Sequence, residues 1–136
     1  MKVIVDTSVW SLAFRRRKVV NTPEVVALVR LVEQGLVVLV GPVRQEVLSG
    51  IKHLDQFERL RERLAAFPDL ELTTRDFETA AELCNLCITK GVQGSHTDFL
   101  IAAAAITRGY AVLSADRDFE NIARIVPVRT YEEHLH

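Results

Sequence analysis

The sequence predicts an α/β sandwich of three layers, with a mostly parallel central sheet and helices on both of its faces. Three observations predict it. Short apolar runs recur at Lys2 to Asp6, Leu36 to Val40 and Tyr110 to Ser114, as expected of strands buried on both sides. The stretches between them carry apolar residues at helical spacing with charges in the gaps. Strands alternating with helices give a parallel sheet rather than hairpins. The 136 residues make one domain, 1–136, and a hydrophobic content of 49% supplies its core.

The elements follow in order. Lys2 to Asp6 is a buried strand ending on a carboxylate, and Thr7-Ser8 opens a helix carrying Val9, Trp10, Leu12, Ala13 and Phe14. The next helix has Thr22 as its N-cap, Pro23 in first position and Glu24 in the first turn, and it stops at Gly35. Leu36 to Val40 is the second strand. Gly41-Pro42 turns the chain into a helix that runs through Glu46 and ends near Gly50. Leu54, Phe57, Leu60, Leu64 and Phe67 mark an amphipathic helix whose stripe belongs to the core by default and otherwise to a partner. Leu70 to Leu72 is a candidate short strand. Thr73 to Lys90 is a long helix closed by Gly91, and Ser95 to Arg108 another closed by Gly109. Tyr110 to Ser114 is the third long strand, Phe119 to Arg124 a short helix, and Ile125 to Val128 a last strand.

Charge and composition exclude several classes. Lys plus Arg is 17 and Asp plus Glu is 18, a net charge of −1, so any polyanion must be held by a local basic patch or a metal. The longest apolar runs, such as Phe99 to Ile106, fall well short of the ~20 residues that span a bilayer. Met1-Lys2 runs straight into Val3-Ile4-Val5 with no leader pattern, so the expectation is a cytoplasmic domain without membrane contact. Cys84 and Cys87 have CxxC spacing, but zinc needs four ligands and no second pair exists. At i, i+3 on a helix they read as core or interface residues. His96 reads as a surface residue at a helix start, and His134 and His136 as a solvated tail.

In open parallel sheets, ligands bind beyond the carboxyl ends of the strands. Carboxylates gather there. Asp6 ends the first strand, Glu46 lies early in the helix after the second, Asp98 near the start of the Ser95 helix, and Asp116 and Asp118 just after the Tyr110 strand. Each has a structural alternative: Asp98 completes a capping box with Ser95, Asp116 and Asp6 cap the helices that follow them, and Glu46 faces solvent. Taken together on one edge they repel one another unless a cation sits among them, and hard oxygen ligands suit Mg2+ or Mn2+. Such an ion is standard equipment for phosphodiester hydrolysis.

Four motifs carry a family resemblance. Val5-Asp6-Thr7-Ser8-Val9-Trp10, Pro42 to Gly50, Asp98 to Ala105, and Val112 to Phe119 resemble, in order and spacing, the acidic motifs of PIN-domain proteins, most closely the VapC-type toxins of toxin–antitoxin pairs. The resemblance covers nearly the whole chain. It implies a PIN-like fold and a Mg2+- or Mn2+-dependent endoribonuclease with catalytic Asp6, Glu46, Asp98 and Asp116. Asp6, Asp98 and Asp116 hold the metal, and Thr7, Ser114 and Asp118 are auxiliary. Ser114 stands where the family often has Thr, which keeps the hydroxyl. Asp98 is the candidate for orienting or deprotonating the attacking water. The resemblance also implies a cognate antitoxin and a homodimer.

Arg15-Arg16-Arg17-Lys18 is the one dense basic run and reads either as a solvated loop or as a clamp for RNA phosphates, with Arg44 assisting. A PIN-type RNA-processing nuclease without an antitoxin fits the same residues, and a non-catalytic metal- or phosphate-binding regulatory module is the further alternative. Other phosphate chemistries fit poorly. A receiver domain wants paired acids after its first strand and a late lysine, whereas Asp6 stands alone and Ser114-Ala115-Asp116 brings no lysine. A haloacid-type phosphatase wants Asp-x-Asp, and Ser8 takes the second place.

Overall fold

The computed structural model describes residues 1–15 and 21–132. Its centre is a parallel sheet of four short strands, β1 (Val3–Val5), β2 (Val37–Val38), β3 (Ala111–Leu113) and β4 (Arg129–Thr130), in the order β2-β1-β3-β4. β1 is paired on both sides, Val3 with Val37 and with Ala111, Val5 with Leu113. Every residue of β1 and β3 is buried, which is why these strands are unbroken apolar runs.

The helices are α1 (Thr7–Phe14), α2 (Pro23–Glu33), α3 (Gly41–Leu48), α4 (Leu54–Leu64), α5 (Thr74–Thr89), α6 (His96–Arg108) and α7 (Arg117–Ala123). The β1-to-β2 and β2-to-β3 connections cross the sheet in opposite directions, so right-handed crossovers place α1–α2 and α3–α6 on opposite faces. This is the expected three-layer sandwich. No helix among the described residues is long and apolar enough to cross a membrane.

Local chemistry explains the helix limits. Thr22 caps α2, accepting from the Val25 N–H, with Pro23 at the start. Thr73 with Asp76 and Ser95 with Asp98 form reciprocal capping boxes on α5 and α6. α6 ends at Gly109, whose φ of 72° is left-handed. α1 is anchored by Trp10, which is fully buried, donates its indole N–H to the Val5 carbonyl at 3.1 Å, and meets the rings of Phe14 and Phe67. On the α4 stripe Leu60 and Leu64 are buried, while Leu54 is 74% exposed. Cys87 is a core residue and Cys84 is half-buried.

Four expectations need correction. The second strand is confined to Val37–Val38. Leu70 to Leu72 is not a strand; the only pairing there is a bridge between Leu39 and Asp69. The last strand is Arg129–Thr130 rather than Ile125 to Val128. The N–H groups of Ile125 and Val126 turn back to the Ile122 carbonyl and that of Val128 to Val126, so this apolar run is a turn that buries Val126 and Val128. Finally, α7 begins at Arg117, two residues ahead of Phe119, because the Asp116 side chain accepts the Asp118 N–H and caps it.

α5 and α6 are locked by a buried ion pair that sequence reading did not single out. Asp76, 1% exposed, accepts from both terminal nitrogens of Arg108 at 2.7 and 2.8 Å, from the Thr107 hydroxyl at 3.0 Å and from the Thr73 N–H at 2.8 Å. The Arg108 guanidinium holds the Asp76 carboxyl well below the usual carboxylate range.

Candidate active site

The connection leaving β1 goes one way across the sheet and the connection leaving β3 goes the other, which makes the gap between their carboxyl ends the topological switch point. Asp6 stands at the end of β1 and Asp116 three residues after β3. α6, packed against both strands, brings Asp98 to the same place from its first turn. Oxygens of Asp6, Asp98 and Asp116 all lie within 4.8 Å of one another.

Each carboxylate is held by local hydrogen bonds that leave it spare acceptor capacity. Asp6 caps α1: Oδ1 accepts the Thr7 N–H at 2.7 Å, and Oδ2 accepts the hydroxyls of Ser8 at 2.9 Å and Ser114 at 2.8 Å. Oδ2 thus has both lone pairs occupied, while Oδ1 keeps one. Asp98 gives Oδ2 to the Ser95 N–H at 2.9 Å, and Asp116 gives Oδ1 to the Asp118 N–H at 2.9 Å. Helix capping and membership of the cluster are therefore not alternatives. A carboxylate has two oxygens, and among the described residues Asp98 and Asp116 each keep one that no side-chain or capping hydrogen bond takes.

Asp6 is 4% and Asp98 7% exposed, with Asp116 more open. Burial pushes the Asp6 carboxyl above its ordinary range against the pull of its serine hydrogen bonds, and the Asp116 charge adds to the rise. Burial also pushes Asp98 up, helped by the charges of Asp6 and Asp116. Among the described residues, no Lys or Arg forms an ion pair with any of the three. Buried like charges without a protein counter-ion, presenting hard oxygen atoms, fit a small divalent cation.

The other expected residues are placed differently. Glu46 is exposed on α3 and lies outside the three-carboxylate cluster; the Thr7 hydroxyl donates to its Oε1 at 2.6 Å. Thr7 thereby links Glu46 to the turn that carries Asp6. The Ser114 hydroxyl donates to Asp6. Asp118 contributes its backbone N–H to Asp116, and its exposed carboxylate is outside the cluster. Arg15 is exposed at the end of α1; Arg16, Arg17 and Lys18 lie outside the described residues, as do His134 and His136.

Arg44, expected to assist in holding RNA, is engaged within the protein. Its Nε donates to Asp69 at 2.9 Å, one terminal nitrogen to the Leu64 carbonyl at 3.1 Å and the other to the Phe67 carbonyl. All three nitrogens are engaged in fastening α3 to the end of α4. Ser8, absent from the expected set, emerges as a partner of Asp6. Its signal was the motif Asp6-Thr7-Ser8 itself, in which a hydroxyl two residues past the strand end can reach back to the carboxylate.

Fold and site together give an α/β protein with three carboxylates gathered at the switch point of a parallel sheet. The chain belongs to the PIN domain family, whose model matches residues 3–125. It is similar to ribonuclease VapC11 of Mycobacterium tuberculosis, 31% identical over 125 residues that cover 90% of this chain and 92% of that protein. Among solved structures, VapBC2 from Rickettsia felis, bound to a DNA fragment from its promoter, aligns with a TM-score of 0.76 at 16% identity over 96% of this chain and 98% of that one. FitAcB from Neisseria gonorrhoeae aligns with a TM-score of 0.74 at 20% identity over 96% of both chains. These two likenesses concern the fold.

Proposed function

We propose that the protein is a Mg2+- or Mn2+-dependent endoribonuclease, the toxin of a toxin–antitoxin pair, formed as one PIN-like domain over residues 1–136. The observation that carries this reading is the convergence of Asp6, Asp98 and Asp116 oxygens within 4.8 Å, at a strand-end crevice where no described cation balances them. The naming of the similar M. tuberculosis protein as a ribonuclease supports the substrate class.

Asp6, Asp98 and Asp116 would hold the ion through the acceptor positions their hydrogen bonds leave open. The bound ion supplies Lewis-acid activation of a water and of the scissile phosphoryl group. Asp98, buried and with its ordinary acidity reduced, orients the water and accepts its proton. Glu46, steadied by Thr7, completes the acidic set from the α3 side. Arg15, with Arg16, Arg17 and Lys18, holds RNA phosphates, and Asp118 is auxiliary.

A cognate antitoxin buries an amphipathic segment on apolar helix surface and brings a basic side chain to the acidic edge; the similarity to VapBC2 supports a partner of this kind. A homodimer is favoured by a recess of about 460 Å³ between α5 and α6, at whose rim Phe77 is 55% exposed. The site of action is the cytoplasm. Incubation with total cellular RNA, with Mg2+ and with EDTA, tests the reading. Cleavage is expected only with metal and only for chains that retain Asp6. Equal cleavage by Asp6→Asn, or none by the wild type with Mg2+ or Mn2+, overturns it.

A further inference from the structure

The ladder between β1 and β3 ends where the Asp6 N–H donates to the Leu113 carbonyl at 2.9 Å. Beyond that point the chains diverge, one into α1 and the other into the loop that carries Asp116. Two serine hydroxyls continue the stitching. Ser114 donates to Asp6 Oδ2 and accepts the Asp116 N–H at 3.0 Å, within its own loop. Ser8 donates to the same Oδ2 and accepts the Ala115 N–H at 3.0 Å, from a residue 107 positions away.

The direction of these bonds is forced. A backbone N–H can only donate, so each serine oxygen accepts there and must spend its single proton elsewhere; a carboxylate oxygen can only accept. Ser8 is thus the side chain through which α1 grips the loop ahead of Asp116, while its own proton is held by Asp6 Oδ2. The bonded N–H of Ala115 belongs to an exposed residue, so water can replace Ser8 there at little cost to folding.

We propose that Ser8 is a positioning residue that sets the separation of Asp6 and Asp116, and thereby the affinity of the site for its divalent ion. The inference rests on the nuclease reading and deepens it. Partners of this kind, behind the groups that touch a metal, typically change its affinity 10- to 100-fold when removed.

The test uses the full chain as wild type, Ser8→Ala and Ser8→Thr, the last keeping the hydroxyl. Mg2+ and Mn2+ are titrated against the melting temperature, with no RNA present, and separately against the cleavage rate. Ser8→Ala is expected to melt with the wild type in EDTA, to need at least roughly tenfold more metal for half of its thermal shift and half of its maximal rate, and to keep its KM for RNA. Ser8→Thr is expected to restore the metal requirement. Identical metal titrations for wild type and Ser8→Ala overturn the proposal while leaving the nuclease reading intact. So does a Ser8→Ala chain that melts well below wild type in EDTA, which makes Ser8 a folding residue. A wild type that neither cleaves RNA nor is stabilised by metal removes both readings.

Discussion

At Asp98 one side chain does two kinds of work. Its Oδ2 closes the capping box on α6, and its carboxylate belongs to the cluster with Asp6 and Asp116. Substitution separates the two. Asn keeps a carbonyl oxygen for the Ser95 N–H and deletes the charge that its neighbours repel, so Asp98→Asn should melt in EDTA no lower than wild type. Ala deletes the reciprocal bond to the Ser95 N–H as well and should cost about 1 kcal/mol relative to Asn. With a dissociation constant of order 1 mM and about 10 mM Mg2+, wild type should gain about 1.4 kcal/mol, a melting shift of roughly 5 °C for a chain of this length. Both variants should show a smaller shift. Paired melts with EDTA and Mg2+ check this, and a full shift in Asp98→Asn would remove Asp98 from the cation site. Asp98 was legible in the sequence because Ser-x-x-Asp before an apolar run is a recognisable helix start. Asp76 was not, because its partner Arg108 is 32 residues distant and only the packing of α5 on α6 joins them.

Among the elements, the approach of α6 to α7 sets the distance between Asp98 and Asp116. Gly94, just ahead of the Ser95 cap, makes that approach possible: a Cβ there would stand 2.5 Å from Ile122 Cδ1 and 3.3 Å from the Phe99 ring. Ile122 and Phe99 are both core residues, so neither can move aside freely. Gly94→Ala should therefore cost about 1–2 kcal/mol by overcrowding, measured by denaturant unfolding in EDTA, and should weaken metal binding besides. An unchanged midpoint would mean that Ile122 simply rotates away. The helices were legible from caps and periodicity, since those signals are local. The short strands were less so. Ile125 to Val128 is as apolar as a strand, but its N–H groups find carbonyls in the preceding turn. Hydrophobicity reports burial, and hydrogen-bond partners, which decide strand from turn, lie elsewhere in the chain. The partners of Arg44 were not legible for a related reason: a cation two residues from Glu46 in sequence is directed by carbonyls at the end of α4 that the sequence does not place beside it.

For the whole molecule, two groups of buried carboxylates act on stability with opposite sign. Asp6 and Asp98 have carboxyls raised in the folded protein, so the native state binds protons more readily than the unfolded chain. Without metal, stability should rise as pH falls from neutral through their folded values, and this gain should be complete near the unfolded carboxylate value of about 4. Asp76 is depressed by Arg108, so its contribution is fully present above about pH 4 and is lost as pH falls further toward its folded value. Together they give the metal-free protein a stability maximum on the acid side, at roughly pH 4–5, rather than near neutrality. Divalent metal binds the ionised carboxylates, so 10 mM Mg2+, on the order of ten dissociation constants, should raise the neutral limb and move the maximum upward. The limbs are separable by substitution. Asp98→Asn should flatten the neutral limb in EDTA and leave the acid limb alone. Asp76→Asn strands the Arg108 charge, should cost about 3 kcal/mol near neutral pH, and should remove much of the acid limb. Urea midpoints from pH 3 to 8, with EDTA and with Mg2+, read both effects from one protein. A metal-free stability that falls steadily from pH 7 to 5 would contradict the raised carboxyls of Asp6 and Asp98, because neutralising groups whose charge is disfavoured first by burial and then by one another is what requires it to rise.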